Sequence, residues 1–156
     1  MLIEYLIDEH NIDIESESVS RIKRLIKGEK QGDEKGWLYD IVANKRNSID
    51  VDKFDYLARD AYNTGVRSVY YDFDRLIKTS RVIDDQICYN IKNSFSLYSL
   101  LASRYKMFKQ IYLHRVVQAI DFMVVDALEL ANPVFHFEKA ITDPKKYMKL
   151  TDNLLF

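Results

Sequence analysis

The chain has 156 residues, 47% of them apolar and 30% charged, a balance that excludes both a disordered chain and a membrane-embedded one. Its net charge of −1 argues neither for nor against nucleic acid, so any affinity for anions has to come from local clusters. Cys88 is the only cysteine, which excludes an internal disulfide and points to a reducing compartment.

In chain order, "MLIEYLID" is apolar and helix-like but has no N-cap residue, as if the sequence entered in mid-element. The N-terminal "MLIEYLIDEHNID" lacks the basic region and small-residue cleavage site of a secretory signal. "SVSRIKRLIKG" places Val19, Ile22, Leu25 and Ile26 on one helical stripe with basic residues opposite, and Gly28 serves as the stop. The alternation of Ile and Leu with the cations makes "RIKRLIK" an amphipathic helix rather than a nucleic-acid patch. "EKQGDEKG" is a polar loop, and "WLYDIVANKR" resumes a period of three to four.

"NKRNSIDVDKFDYLARDAYNTG", Asn44 to Gly65, carries the most information. Asp50 caps a helix whose interior begins near Val51, and Gly65 closes it in the left-handed conformation. At 100° per residue, Phe54, Leu57, Ala58 and Ala61 cover one side, while Asp52, Tyr56 and Asp60, with Lys53 beside them, cover the other.

"YDFDRLIKTSRV" predicts a short helix leading into an extended run. "RVIDDQICYNIK" predicts a hairpin, with Val82-Ile83 and Ile87-Cys88-Tyr89 as strands around an Asp84-Asp85 turn. Residues 96–131 hold no Gly or Pro and predict one long helix, or two joined by a kink, terminated by Pro133. Within it Leu97, Leu100, Leu101, Phe108 and Ile111 form a core or subunit-interface stripe. A polar turn at Asp143-Pro144 precedes an apolar segment from Leu150 to Phe156 that stops abruptly. Both ends therefore read as truncated.

"NKRNSIDVDKFDYLARDAYNTG" resembles the HD-domain deoxynucleoside triphosphate triphosphohydrolases of the SAM-and-HD-domain-containing kind. "RLIKTSRV", "ICYNIK", "LYSLLASRYKMFKQIYLHRVVQAIDFMVVDAL" and "YMKLTDNLLF" resemble successive blocks of that family in the same order, so the resemblance covers nearly the whole chain. It implies a mainly α fold with one small β-hairpin, with residues 1–156 forming a middle-to-late part of the catalytic domain. It also implies hydrolysis of dNTPs to deoxynucleosides and inorganic triphosphate at a divalent metal (Zn, Fe, Mn or Mg).

Carried over by position, Asp52 matches the family's late metal-binding aspartate in "DVDK", and Lys53 a lysine that contacts substrate phosphates. Tyr56 and Asp60 match residues facing the sugar and its 3′-hydroxyl, Arg104 a phosphate-binding arginine, and Tyr112 the aromatic near the base. Arg75, Lys92, His114 and Arg115 match positions that hold an activating nucleotide between subunits, implying a homo- or hetero-oligomer in an intracellular location, nuclear or cytoplasmic. The residue chemistry is compatible: guanidinium and ammonium groups suit phosphate oxygens, and a carboxylate is a hard metal ligand.

Departures from the family pattern are equally specific. Leu113 stands where the family has Gln, and Asn90 where it has Arg. The three histidines, His10, His114 and His136, are none of them followed by Asp, so the family's His and His-Asp metal ligands have no counterpart here. A water-activating metal site takes three or more protein ligands, so this chain alone is expected to be inactive. The alternative is a non-catalytic nucleotide-binding or oligomerisation module pairing with a full-length relative, or an incomplete gene model.

Overall fold

The computed structural model describes residues 2–155 and is mainly α, with one two-stranded antiparallel sheet among the described residues. The chain divides into two compact units, Arg21–Val117 and Met1–Ser20 with Gln118–Phe156. The elements are α1 (Leu2–Glu9), α2 (Ser16–Lys27), α3 (Gly36–Val42), α4 (Val51–Thr64), α5 (Phe73–Lys78), β1 (Arg81–Ile83), β2 (Gln86–Cys88), α6 (Ser94–Met107), α7 (Arg115–Phe135), α8 (Phe137–Ala140) and α9 (Pro144–Tyr147). Short 3-10 turns span Ile91–Asn93 and Asp152–Leu155. The terminal residues of the apolar segments expected at each end, Met1 and Phe156, lie outside the described residues.

In the unit Arg21–Val117 the helix stops follow local chemistry. Asp50 accepts the Lys53 amide at 3.1 Å and so caps α4, and Gly65 ends that helix at φ 71°. Gly28, at φ 65°, is demanded twice, because a Cβ there would also stand 2.7 Å from the Ala43 carbonyl oxygen. Asp72 caps α5 by accepting the Arg75 amide at 2.9 Å.

The hairpin pairs Arg81 with Cys88, Val82 with Ile87 and Ile83 with Gln86. Its two-residue turn sets Asp84 at φ 48° and Asp85 at φ 60°, the doubly left-handed geometry that matches strand twist and that Asp tolerates. Asp85 then reaches back to accept the Gly36 amide at 2.7 Å and the Lys30 ammonium at 2.7 Å, which hold its carboxyl below the usual range. Asp40, almost fully buried, accepts the Ile87 amide at 3.1 Å and the Arg46 guanidinium, tying α3 to β2.

The α4 face read as apolar is the one that is buried. Phe54 and Leu57 join Ile49, Tyr71, Leu76, Leu100 and Met107 in one core cluster. Tyr56, Leu97, Ile111 and Tyr112 pack at its edge. Of the stripe expected on α6, Leu100 is fully buried and Leu101 exposed. Tyr71 donates its hydroxyl to the Phe54 carbonyl at 2.8 Å, and burial pushes its phenol up to about 12.

Residues 96–131 are two helices rather than one. α6 runs into a π-turn, Phe108–Tyr112, in which the Leu113 amide reaches the Phe108 carbonyl at 2.8 Å, and α7 starts afresh at Arg115. Pro133 does not terminate the second helix, contrary to expectation; it lies inside α7, which continues to Phe135. Near a helix end a proline removes one hydrogen bond but keeps a helical φ, and docking tolerates that loss. The stop is His136, at φ 51°, where the Asn132 side chain accepts the Phe137 amide at 3.0 Å.

In the unit formed by Met1–Ser20 and Gln118–Phe156, α1 packs on α9, and α9 on α8. Asp143 caps α9 by accepting the Lys145 amide at 3.0 Å, with Pro144 in the first turn where its missing N–H costs nothing. Along α7, Phe122, Met123, Leu130 and Val134 are largely exposed.

One ionic clasp has a readable pH dependence. Glu34 accepts from the Arg24 guanidinium at 2.8 Å and from the Tyr39 hydroxyl, and these bonds bring its carboxyl down to about 2. A lowered acid favours the folded state above its unfolded value near 4.5, and that contribution disappears as pH falls toward 2. Glu34→Gln is therefore expected to lower the urea midpoint at pH 7 and to match the wild type at pH 2. An equal deficit at both pH values would show that the charge is irrelevant.

Candidate functional site

α4 presents its polar face as read from the sequence. Asp52 is exposed near the first turn, and Lys53 is mostly covered, its ammonium 3.9 Å from the capping carboxylate of Asp50. Two turns on, Asp60 accepts the Tyr112 hydroxyl at 2.7 Å through one oxygen and the Arg59 guanidinium at 3.1 Å through the other. The π-turn carries Tyr112 over α4, and Tyr56 lies close enough for its phenol to influence that of Tyr112. Asp60 and Tyr112 are 52 residues apart in sequence, and the core below them fixes their meeting.

Burial raises the Tyr112 phenol well above the ordinary tyrosine range, and the hydrogen bond to Asp60 and its charge raise it further. An anionic Tyr112 would face a carboxylate, so the neutral phenol is the donor at working pH. Folding is favoured by this below about 10, the free tyrosine value, and the advantage is lost as pH climbs through the higher folded value. With 13C-ζ-tyrosine NMR, Tyr112 is expected to titrate above a free tyrosine, and Asp60→Asn to bring it down. An unchanged Tyr112 titration in Asp60→Asn would break the assigned pair.

Arg104, in the last turn of α6, stacks its guanidinium over the Phe108 ring, 4.5 Å from the centroid. Phe108 meets Tyr112 edge-on at 5.1 Å and 82°. Arg104 lines an open depression of about 470 Å³ with Leu101, Tyr105, Phe108, Lys109 and Leu113. Asp52, Lys53, Asp60 and Tyr112 are not among its lining residues, and Phe108, which touches both Arg104 and Tyr112, links Arg104 to the α4 group. A separate, apolar cavity of about 360 Å³ between α3, α4 and the hairpin includes Trp37, Ile49, Phe54, Ile77, Val82 and Tyr89. It is lined by none of the residues expected from the sequence to bind nucleotide.

The four residues matched to an activating nucleotide are all exposed. Arg75 stands on α5, Lys92 on the 3-10 turn after the hairpin, and His114 and Arg115 at the junction of the π-turn and α7. The His114 Nδ1 accepts the Val116 amide at 3.3 Å. No hydrogen bond or ion pair joins the four to one another among the described residues.

Phe108 is the side chain whose place at this site was not legible from the sequence, where it read as core or subunit interface. The spacing of Arg104, Phe108 and Tyr112 by four was visible, but the contacts needed the π-turn. No group of three or more His, Cys, Asp or Glu among the described residues could hold a metal ion. Asp52 supplies one carboxylate, and a water-activating site needs at least three protein ligands, so these residues do not form a metal centre by themselves. No helix among the described residues is long and apolar enough to cross a membrane.

The family model described as the HD associated region matches residues 71–156. The deoxynucleoside triphosphate triphosphohydrolase SAMHD1 homolog of Dictyostelium discoideum is 44% identical over 99% of this chain, which spans 30% of that protein. The deoxynucleoside triphosphate triphosphohydrolase SAMHD1 of Homo sapiens is 38% identical over 77% of the chain, corresponding to 21% of its own length. A putative HD domain-containing protein of Acanthamoeba polyphaga mimivirus is 40% identical over 78% of the chain and 27% of that protein. The chain thus spans less than a third of each of these relatives. Resemblance along most of the chain, the matched HD associated region and the mainly α fold lead to one conclusion: this chain belongs to the SAMHD1-like deoxynucleoside triphosphate triphosphohydrolase family.

Proposed function

We propose that the chain carries the nucleoside-holding part of a dNTP triphosphohydrolase site and that by itself it binds a dNTP without turning it over. The observation that carries this reading is the hydrogen bond from the Tyr112 hydroxyl to Asp60, which joins α4 to the π-turn. It sets a phenol donor and an accepting carboxylate side by side, a pair able to recognise a sugar hydroxyl and flank a base. Tyr56 is the third member of that group. Lys53 and Arg104 supply cations for the triphosphate, the first as a point charge and the second with a planar set of donors. Asp52 is a single metal ligand.

The complete reaction adds water at the α-phosphorus and releases deoxynucleoside and inorganic triphosphate. This chain's residues bind and orient; activation of water falls to ligands that they do not provide. Arg75, Lys92, His114 and Arg115 serve an activating nucleotide shared with a partner chain.

Calorimetric titration of the purified chain with dGTP in the presence of Mg²⁺ tests the reading, alongside an assay of triphosphate release. Measurable binding with background hydrolysis is the expected result, with Asp60→Asn and Tyr112→Phe each weakening dGTP more than inorganic tripolyphosphate. No binding of dGTP overturns the reading; turnover by the chain alone overturns the division of labour. The exposed Phe122, Met123, Leu130 and Val134 of α7 favour a second reading, an oligomerisation module. Under that reading, light scattering finds a dimer or larger species whether or not nucleotide is present.

A further inference from the structure

We propose that Phe108 is a positioning residue for nucleotide binding, resting on the reading above: it holds Arg104 and Tyr112 in one fixed relation, so that both engage a single dNTP.

Three contacts carry the argument. The Arg104 guanidinium lies over the face of the Phe108 ring, 4.5 Å from its centroid. The same ring meets Tyr112 at 82°, with centroids 5.1 Å apart. Tyr112 in turn donates to Asp60 at 2.7 Å. Arg104, Phe108, Tyr112 and Asp60 thus form one chain of contacts from the end of α6 to the polar face of α4.

The kind of contact matters as much as its existence. A ring attracts a guanidinium through its quadrupole and leaves the N–H donors in the cation's plane unspent. A carboxylate partner would have consumed those donors and cancelled the charge. No ion pair engages Arg104 among the described residues, so its position is held while its donors stay available to an anion. The edge-to-face contact with Tyr112 is the geometry that aromatic quadrupoles favour, so one ring restrains both neighbours. The backbone contributes as well. Phe108 opens the π-turn, and the bond from the Leu113 amide to its carbonyl spans five residues, widening the turn that delivers Tyr112 to α4. A leucine at 108 would fill the space and offer neither face nor edge.

The test uses the full chain and two probes, dGTP and inorganic tripolyphosphate, both with Mg²⁺. Phe108→Leu is expected to weaken dGTP binding about two- to fivefold, and Phe108→Tyr to leave it within about twofold of wild type. In an Arg104→Ala background, Phe108→Leu is expected to cause no further loss of tripolyphosphate affinity. A ligand-free readout accompanies these: the Arg104 Hδ resonances lie upfield in the wild type, shifted by the ring current, and return toward ordinary values in Phe108→Leu. Unchanged dGTP binding in Phe108→Leu overturns the proposal, as does a loss of the same size with and without Arg104. Absence of binding of either probe to the wild type overturns the nucleotide-site reading and this role together, and is seen before any variant is made.

Discussion

Leu100→Ala is expected to cost about 3 to 5 kcal/mol and to collapse the cooperative unfolding of the unit Arg21–Val117, whereas Leu101→Ala, one residue on, costs less than about 1 kcal/mol. Leu100 has no exposed surface and sits in the cluster with Phe54, Leu57, Leu76 and Met107, while Leu101 is 48% exposed. Truncating the first removes its transfer free energy and leaves a void that helices packed from three elements cannot collapse into. Truncating the second removes surface that water already touches. Urea denaturation of both variants, compared at constant slope, makes the measurement. Equal losses would mean that α6 is rotated relative to its assigned register, and with it the direction in which Arg104, Phe108 and Tyr112 point.

Asp40→Ala is the second large effect, about 2 to 4 kcal/mol, with Asp40→Asn expected to cost roughly half as much. Asp40 is 6% exposed and accepts from both the Ile87 amide and the Arg46 guanidinium. Alanine leaves a ladder-edge amide without an acceptor and a guanidinium without its counter-charge, although the partly exposed Arg46 recovers some solvation. Asparagine keeps one oxygen for the Ile87 amide and loses only the charge. Hydrogen exchange at that amide separates the two effects. Protection is expected to fall more than tenfold in Asp40→Ala and far less in Asp40→Asn. Identical exchange in the two variants would show that the amide bond does not hold the hairpin to α3.

Both predictions, and the Glu34 clasp, concern the frame that carries the candidate site. Tyr112 packs against the core to which Leu57 and Leu100 belong and donates to Asp60, so loosening that core is expected to loosen the pair.

What the sequence determined by itself about this protein is whatever depends on neighbouring residues. Asp50 and Gly65 as the ends of α4, the Asp84-Asp85 turn and the buried side of α4 were all legible. Each follows from backbone sterics or a hydrogen bond spanning a few residues, which act the same way in any fold. Family membership was legible too, because long blocks of residue identity are a property of the string.

Tertiary structure alone decided the rest. The π-turn at Phe108–Tyr112, the passage of α7 through Pro133 and the stop at His136 are choices between backbone states close in energy, and docking tips them. The meeting of Asp60 with Tyr112, of Asp40 with the Ile87 amide 47 residues away, and of Arg104 with Tyr112 through a shared ring depends on how helices pack over a core. Residue type can announce such a partner, but only the packed chain sets the distance, because long-range contacts are chosen by the sum of all the apolar burial beneath them.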